Sequence, residues 1–271
     1  MRLRPRFRPV YAVLERELVR MFRQRTRLVA AMVRPLIWLL VIGGGFAAFI
    51  GEARGVDYKS FLVPGVLGMT MLFGAMLAAL TTVYDKESGV MRMMLIAPMP
   101  HAWIVIAKVV SAAAAALLQA ILLLVLLVAL GYAGRGTEWG LLAAALAATS
   151  LACAGVGMLT AAFSRSLDNF AGIMNFVIFP VFFLSGSLYP VRDLPPALGW
   201  IATANPYTYG VDLLKHALLP GPGAGSADFG IGLDFAVLAL ATAVTVAVAS
   251  WRFSRESAYE PMIHVLAGRA K

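Results

Sequence analysis

Six long apolar runs divide the chain, at about 29–50, 61–83, 103–132, 139–163, 169–189 and 233–252. Each reaches the ~20 residues an α-helix needs to cross the hydrocarbon core of a bilayer. Polar positions gather between the runs and ahead of the first. In residues 1–34, Tyr11, Leu14, Leu18, Met21 and Phe22 fall on one helical face, while Arg16, Arg20, Arg23 and Arg27 fall on the other. Pro9 suits the first turn of such a helix. This pattern predicts an amphipathic helix lying in the cytoplasmic interface with its Arg heads among lipid phosphates. A cleaved signal peptide is disfavoured, because the lead is long and an amphipathic helix precedes the first apolar run.

The fifth run is interrupted by Pro180, and a half-apolar segment follows, Leu194 to Leu219. That segment carries Pro195, Pro196, Trp200, Asn205, Pro206, Tyr207, Tyr209, Asp212 and Lys215, too polar and too Pro-punctuated to span. Trp and Tyr favour the membrane interface, and irregular backbone at that depth requires cover from protein or a cavity. Two short re-entrant helices in the outer leaflet are expected, followed by a flexible Gly/Pro-rich loop, Pro220 to Ser226. The expected fold is therefore an all-α integral membrane protein with six transmembrane helices. An N-terminal interfacial amphipathic helix (1–28) precedes the transmembrane domain (29–253). A re-entrant external helical segment (about 194–219) lies between spans five and six, and a mixed-charge cytoplasmic tail (254–271) ends the chain.

Composition agrees with this class. The 271 residues are 61% hydrophobic and 14% charged, with a mean hydropathy of +0.81, beyond the apolar share of a soluble domain. The net charge of +9 could suggest nucleic acid, but its distribution follows membrane topology. Eighteen Lys and Arg lie in the N-terminal segment, the 86–108 region, at Arg165 and in the tail, against five in the intervening loops, Arg54, Lys59, Arg135, Arg192 and Lys215. By the positive-inside rule, both termini are cytoplasmic. The single cysteine, Cys153, lies in an apolar run and excludes an intrachain disulfide.

Small residues recur within the runs: Gly43 to Gly45, Gly65 with Gly68, Ala112 to Ala116, and Gly155 with Gly157. In lipid these permit close helix approach, where hydrophobicity itself provides no drive. Polar residues inside spans are costly. Gln119 and Asn175 are the clearest, with Ser150 and Thr160 weaker. They either line a translocation path or satisfy a neighbouring helix. Lys108, close to the membrane edge at Trp103, is expected to snorkel to the cytoplasmic surface.

Between the second and third runs stands Tyr84-Asp85-Lys86-Glu87-Ser88-Gly89-Val90-Met91-Arg92-Met93-Met94-Leu95-Ile96-Ala97-Pro98. A charged cluster, a Gly and a Pro stop between two spans predict a short helix outside the bilayer, over about 85–98. Asp85 and Glu87 would sit near its positive end, and Pro98 would close it. Val90, Met91, Met94 and Leu95 form one apolar face, with Met as adaptable filler for a partner's groove. Floating on lipid headgroups is the plainer alternative.

This stretch resembles the cytoplasmic loop of type-2 ATP-binding-cassette (ABC) exporter permeases. Val90 stands where that family often has Thr, and Ala107 where a Gly often precedes the Lys matched by Lys108. Phe183-Leu184-Ser185-Gly186, Tyr189-Pro190, Leu194-Pro195 and Asn205-Pro206 through Asp212-Leu213-Leu214-Lys215 are similar to the same family's C-terminal signature. The resemblance implies a permease subunit in the cytoplasmic (inner) membrane, homodimeric or paired with a similar permease. Two ABC ATP-binding subunits would dock on a coupling helix comprising Asp85, Lys86, Glu87, Gly89, Val90, Met91, Met94, Leu95 and Pro98. It places Asn205, Pro206, Tyr209 and Asp212 in the re-entrant segment, and the Ser164 to Asp168 loop as a second contact. Family members export hydrophobic drugs, lipid-linked polysaccharides, lipo-oligosaccharides and other metabolites.

The chain contains no Gly-Lys pair, hence no phosphate-binding loop of the Gly-x-x-x-x-Gly-Lys type. No cofactor is expected on this chain, and ATP with Mg²⁺ would belong to the partner subunit. An intramembrane enzyme is disfavoured. His101, His216 and His264 are expected in loops or tails, so Ser185 and Ser187 lack a base. Asp85 and Asp234 lack the spacing of an aspartyl pair, and no metal-ligand cluster is evident. A non-transporting membrane anchor that recruits a soluble partner is the remaining alternative, and it explains the broken fifth run poorly.

Overall fold

The computed structural model describes residues 11, 15, 16, 19, 25–50, 52–53, 56–96, 101–134, 136–219 and 227–268, and helices dominate them. Of the expected interfacial helix ahead of Arg25, only Tyr11, Glu15, Arg16 and Val19 are described; they are helical and exposed. Leu14, Leu18, Met21, Phe22 and Arg20 lie outside the described residues.

Helix α1 spans Arg25–Ile50. A two-residue antiparallel ladder, β1 Glu52–Ala53 with β2 Val56–Asp57, pairs Glu52 with Asp57 and Ala53 with Val56. It turns the chain into α2, Tyr58–Glu87, whose first turn is capped by the Asp57 carboxylate accepting from the Ser60 N–H at 3.3 Å. A seven-residue helix, α3 Val90–Ile96, precedes α4 His101–Ala129 and α5 Trp139–Phe163. Then come α6 Leu167–Phe183, a 3₁₀ turn at Val191–Asp193, α7 Pro196–Ala204, α8 Pro206–Leu218 and α9 Ile231–Gly268.

Among the described residues, four helical stretches are long and apolar enough to cross a membrane: Tyr58–Glu87, Ala102–Ala129, Trp139–Phe163 and Ile231–Arg255. The fifth expected span is shorter as an apolar helix, Leu167–Phe183, and the first expected span falls within the 26-residue α1. The fifth run fails to continue to 189 because α6 ends just beyond Pro180. The Leu184 N–H bonds back to the Pro180 carbonyl, and Gly186 takes a left-handed φ of +74°. Seventeen residues of α6 reach about 25 Å at 1.5 Å per residue. α9 continues as helix beyond the sixth expected span through Gly268.

α2 is the axis of the bundle. It packs against α1, α4, α5, α6 and α8, and 89% of its most apolar window is buried. The corresponding figure for α9 is 17%, so α9 presents most of its surface outward. Two apolar helices therefore take opposite positions. On α2, Gly65, Gly68 and Gly74 let neighbours approach to contact. At Gly65 an added Cβ would lie 2.7 Å from the Ser187 Cβ and carbonyl oxygen, and at Gly157 it would lie 3.1 Å from the Ala79 Cβ. Gly44 and Gly45 have nothing within 4 Å, so helix packing does not explain that pair. Cys153 is a buried core residue of α5.

Gly65→Ala is expected to destabilise the protein by about 1–3 kcal/mol through overpacking against backbone. Gly44→Ala should be neutral or slightly stabilising. Unfolding of the two variants in detergent measures the contrast.

Candidate functional site

The expected coupling segment divides differently from its sequence pattern. Asp85, Lys86 and Glu87 form the last turn of α2, so the carboxylates sit at a helix C-terminus rather than near the positive end of a following helix. The chain breaks at Ser88–Gly89, with Gly89 at φ +75°, and α3 begins only at Val90. Two carboxylates at a negative helix end need cations or donors, and the fold brings these from elsewhere.

Asp85 is buried, and its Oδ2 takes the Lys108 ammonium at 2.6 Å and the Arg16 guanidinium at 2.7 Å. Lys108 therefore does not snorkel to the surface; it is 3% exposed and paired. Its position on the α2-facing side of α4 leaves Asp85 within closer reach than water. Lys86 points the other way. Its ammonium donates to the carbonyls of Ala161 and Ala162, each at 3.0 Å, and of Ser164 at 3.4 Å, while lying 4.7 Å from the centre of the Phe253 ring. A cation thus fills the negative end of α5, where carbonyls lack intrahelical partners. Glu87 accepts the Leu167 N–H at 2.9 Å, placing a carboxylate at the positive end of α6. The short loop between α5 and α6 is held between adjacent side chains of opposite sign.

On α3, Met91 is buried against its own chain, Val90 and Met94 are half-buried, and Met93 is 74% exposed. The expected docking face is thus partly an internal one, and Met93, missed by the face analysis, is the outward side chain. The side chain of Leu95, and Pro98, lie outside the described residues.

The second expected cluster occupies the opposite end of the bundle. Lys215 lies 4.9 Å from the Phe61 ring near the start of α2, and the stretch from Phe61 to Asp85 measures about 36 Å at 1.5 Å per residue. Asn205 caps α8 by accepting the Tyr207 N–H at 3.1 Å, and its amide donates to the Val181 carbonyl at 2.8 Å beside the end of α6. Pro206 takes the first helical position of α8, where its missing N–H costs nothing. The Tyr209 hydroxyl donates to the Thr203 carbonyl at 2.8 Å. Asp212 accepts the N–H groups of Asp228 at 2.7 Å and Phe229 at 2.9 Å. Asp228 in turn accepts the Val191 N–H at 3.0 Å and faces the buried Lys215 ammonium at 3.5 Å. Sequence reasoning did not find Asp228, which follows a Gly/Pro-rich stretch and carries no periodic signal.

The two candidate path residues are not brought to one surface. Gln119 is buried and packs against Gly74 of α2, its Oε1 without a hydrogen-bond partner. Asn175 is exposed on α6 beside Phe176, which is 79% exposed. The histidines also differ from expectation: His216 is part of α8 and His101 opens α4. His216 joins Asp212 and Asp234 in a compact group with metal-ligating atoms, against the expectation of no such cluster. Residues remote in sequence, Asp234 among them, meet there only through the packing of α8 on α9.

A family model described as ABC-2 type transporter matches residues 8–219. The chain is 31% identical over 200 residues to Nodulation protein J of Rhizobium leguminosarum bv. trifolii, covering 72% of this chain and 75% of the relative. It is 26% identical over 215 residues to the putative transport permease ycf38 of Porphyra purpurea, covering 76% and 72%. It is 24% identical over 193 residues to the inner membrane transport permease YadH of Escherichia coli (strain K12), covering 71% and 75%. With the matched region running through the Asp85–Gly89 junction to the end of α8, the chain belongs to the ABC-2 type transporter family of membrane permeases.

Proposed function

We propose that this chain is the membrane-spanning subunit of an exporter driven by ATP hydrolysis on a separate ATP-binding subunit, with α3 as the element through which that subunit acts. The observation that carries the reading is the junction at Asp85–Gly89. From this one turn, Asp85 reaches α4 through Lys108, Lys86 holds the end of α5, and Glu87 holds the start of α6. A displacement of α3 therefore acts on four helices at once, including the most buried one. Coupling requires that both the partner and the bundle distinguish two states, and a rigid junction shared by α2, α4, α5 and α6 meets that requirement.

ATP and Mg²⁺ would sit on the partner. The excess of basic residues at this end puts it, with both termini, on the cytoplasmic side, and α7 with α8 then forms a re-entrant segment toward the outside. Two copies of the chain, each with one ATP-binding subunit, are favoured by α6. Asn175 and Phe176 face outward there, and an amide facing hydrocarbon is costly, whereas a second copy would cover it and make that face part of the pathway. Gln119, enclosed within one copy, is then a packing residue.

Met93→Glu should reduce co-purification of the ATP-binding subunit and transport-coupled ATP hydrolysis while leaving the unfolding temperature unchanged, because Met93 touches solvent. Normal coupling in that variant would remove α3 as the docking element. Asp85→Asn should cost about 3–5 kcal/mol by leaving Lys108 buried without its counter-ion. The double variant Asp85→Asn with Lys108→Met should recover much of this loss, as followed by denaturant unfolding in detergent. On a Cys153→Ala background, Asn175→Cys should cross-link copies in membranes; a wholly monomeric product under oxidant would overturn the shared face.

A further inference from the structure

We propose that Asp212, His216 and Asp234 bind a divalent cation of the zinc type at the end of the bundle opposite the α3 junction. Asp212 and His216 stand one helical turn apart on α8, and this spacing places both side chains on one face. Asp234 comes from the first turn of α9 and meets them across the connection between the helices. The ligating atoms of the three residues all lie within 4.8 Å of one another. His216 Nε2 is 3.6 Å from Asp212 Oδ2 and 4.0 Å from Asp234 Oδ2.

Asp234 is the observation that asks for a ligand. It is wholly enclosed, at 0% exposure, and neither carboxylate oxygen has a hydrogen-bond partner. Burying a carboxylate without hydrogen bonds is strongly unfavourable, yet both oxygens are enclosed beside an imidazole and a second carboxylate. Asp212 is already oriented by the Asp228 and Phe229 N–H groups, and each of its oxygens keeps a further lone pair. Support of this kind fixes metal-ligating carboxylates. His216 is 25% exposed and gives the site an opening to solvent.

The donor chemistry is two carboxylates and one imidazole, with the Phe229 carbonyl oxygen 2.9 Å from His216 Nε2. Without a cation, Nε2 donates to that carbonyl. With one, the proton resides on Nδ1, Nε2 turns its lone pair inward, and the carbonyl oxygen is free as a fourth ligand. Mixed nitrogen and oxygen ligands suit Zn²⁺ and its first-row neighbours, whereas the absence of thiolate from the group disfavours Cu(I). Tetrahedral Zn²⁺ with bonds of about 2.0–2.1 Å holds its ligands about 3.3 Å apart, so closure draws the side chains together by less than 1 Å at the two shorter spacings. The neighbouring Lys215 is engaged with Asp228. A bound cation would clasp α8 to α9 independently of how the opposite end meets its partner.

The test uses the full, tag-free chain in detergent, stripped with chelator and supplied with Zn²⁺ or Co²⁺. The site predicts about one bound metal per chain, a rise in unfolding temperature with Zn²⁺, and Co²⁺ absorption bands of nitrogen and oxygen ligation. His216→Gln, at a partly exposed position that tolerates change, should weaken binding by about tenfold or more, and Asp234→Asn should do the same. Unchanged metal content in His216→Gln would overturn the proposal. So would a wild-type unfolding temperature that does not respond to Zn²⁺.

Discussion

Backbone groups in a bilayer have no water to turn to, so every helix end at or near the hydrocarbon must find its partner within the protein. This constraint organises the structure. The chain contains several places where helices stop short or turn sharply, and at several of these a side chain from another element supplies the missing donor or acceptor. Lys86 serves the end of α5, Glu87 the start of α6, Asn205 the end of α6 and the start of α8, Asp212 the approach to α9, and Asp228 the 3₁₀ turn.

The same arrangement gives the bundle two rigid polar ends separated by an apolar middle. At one end, three consecutive residues of α2 each engage a different element, and the engaged groups are ionic or dipolar, hence strong where water is scarce. At the other end, Asp212, Lys215 and Asp228 knit α8 and the 3₁₀ turn to the head of α2 and the approach to α9. Between them, contact depends on small residues and shape rather than on polar bonds.

The resemblance of both motifs to a permease family was legible in the sequence, and so was the general position of each motif between or after apolar runs. The direction in which their side chains point was not. Asp85 and Glu87 look like the acidic opening of a new helix, yet they close an old one, because Gly89 places the break after them rather than before. Lys108 reads as a snorkelling residue by its distance from the membrane edge, yet Asp85 gives it a nearer partner. Asn175 and Gln119 carry the same sequence signal, and packing sends one outward and the other inward.

By itself, the sequence determined the helical class, the apolar runs, the basic bias and the turn chemistry at Gly89, Pro180 and Asn205-Pro206. These follow from local properties: hydropathy over a span-length window, and the backbone limits of Gly and Pro. Tertiary structure decided which helix became the buried axis, how far the fifth run extended as helix, and which orphaned helix end each charged side chain would serve. It also decided that Asp234, remote from α8 in the chain, would meet Asp212 and His216. Such pairings depend on how whole helices pack, and no local pattern encodes which backbone group will lie about 3 Å from a side chain 75 or 80 residues away.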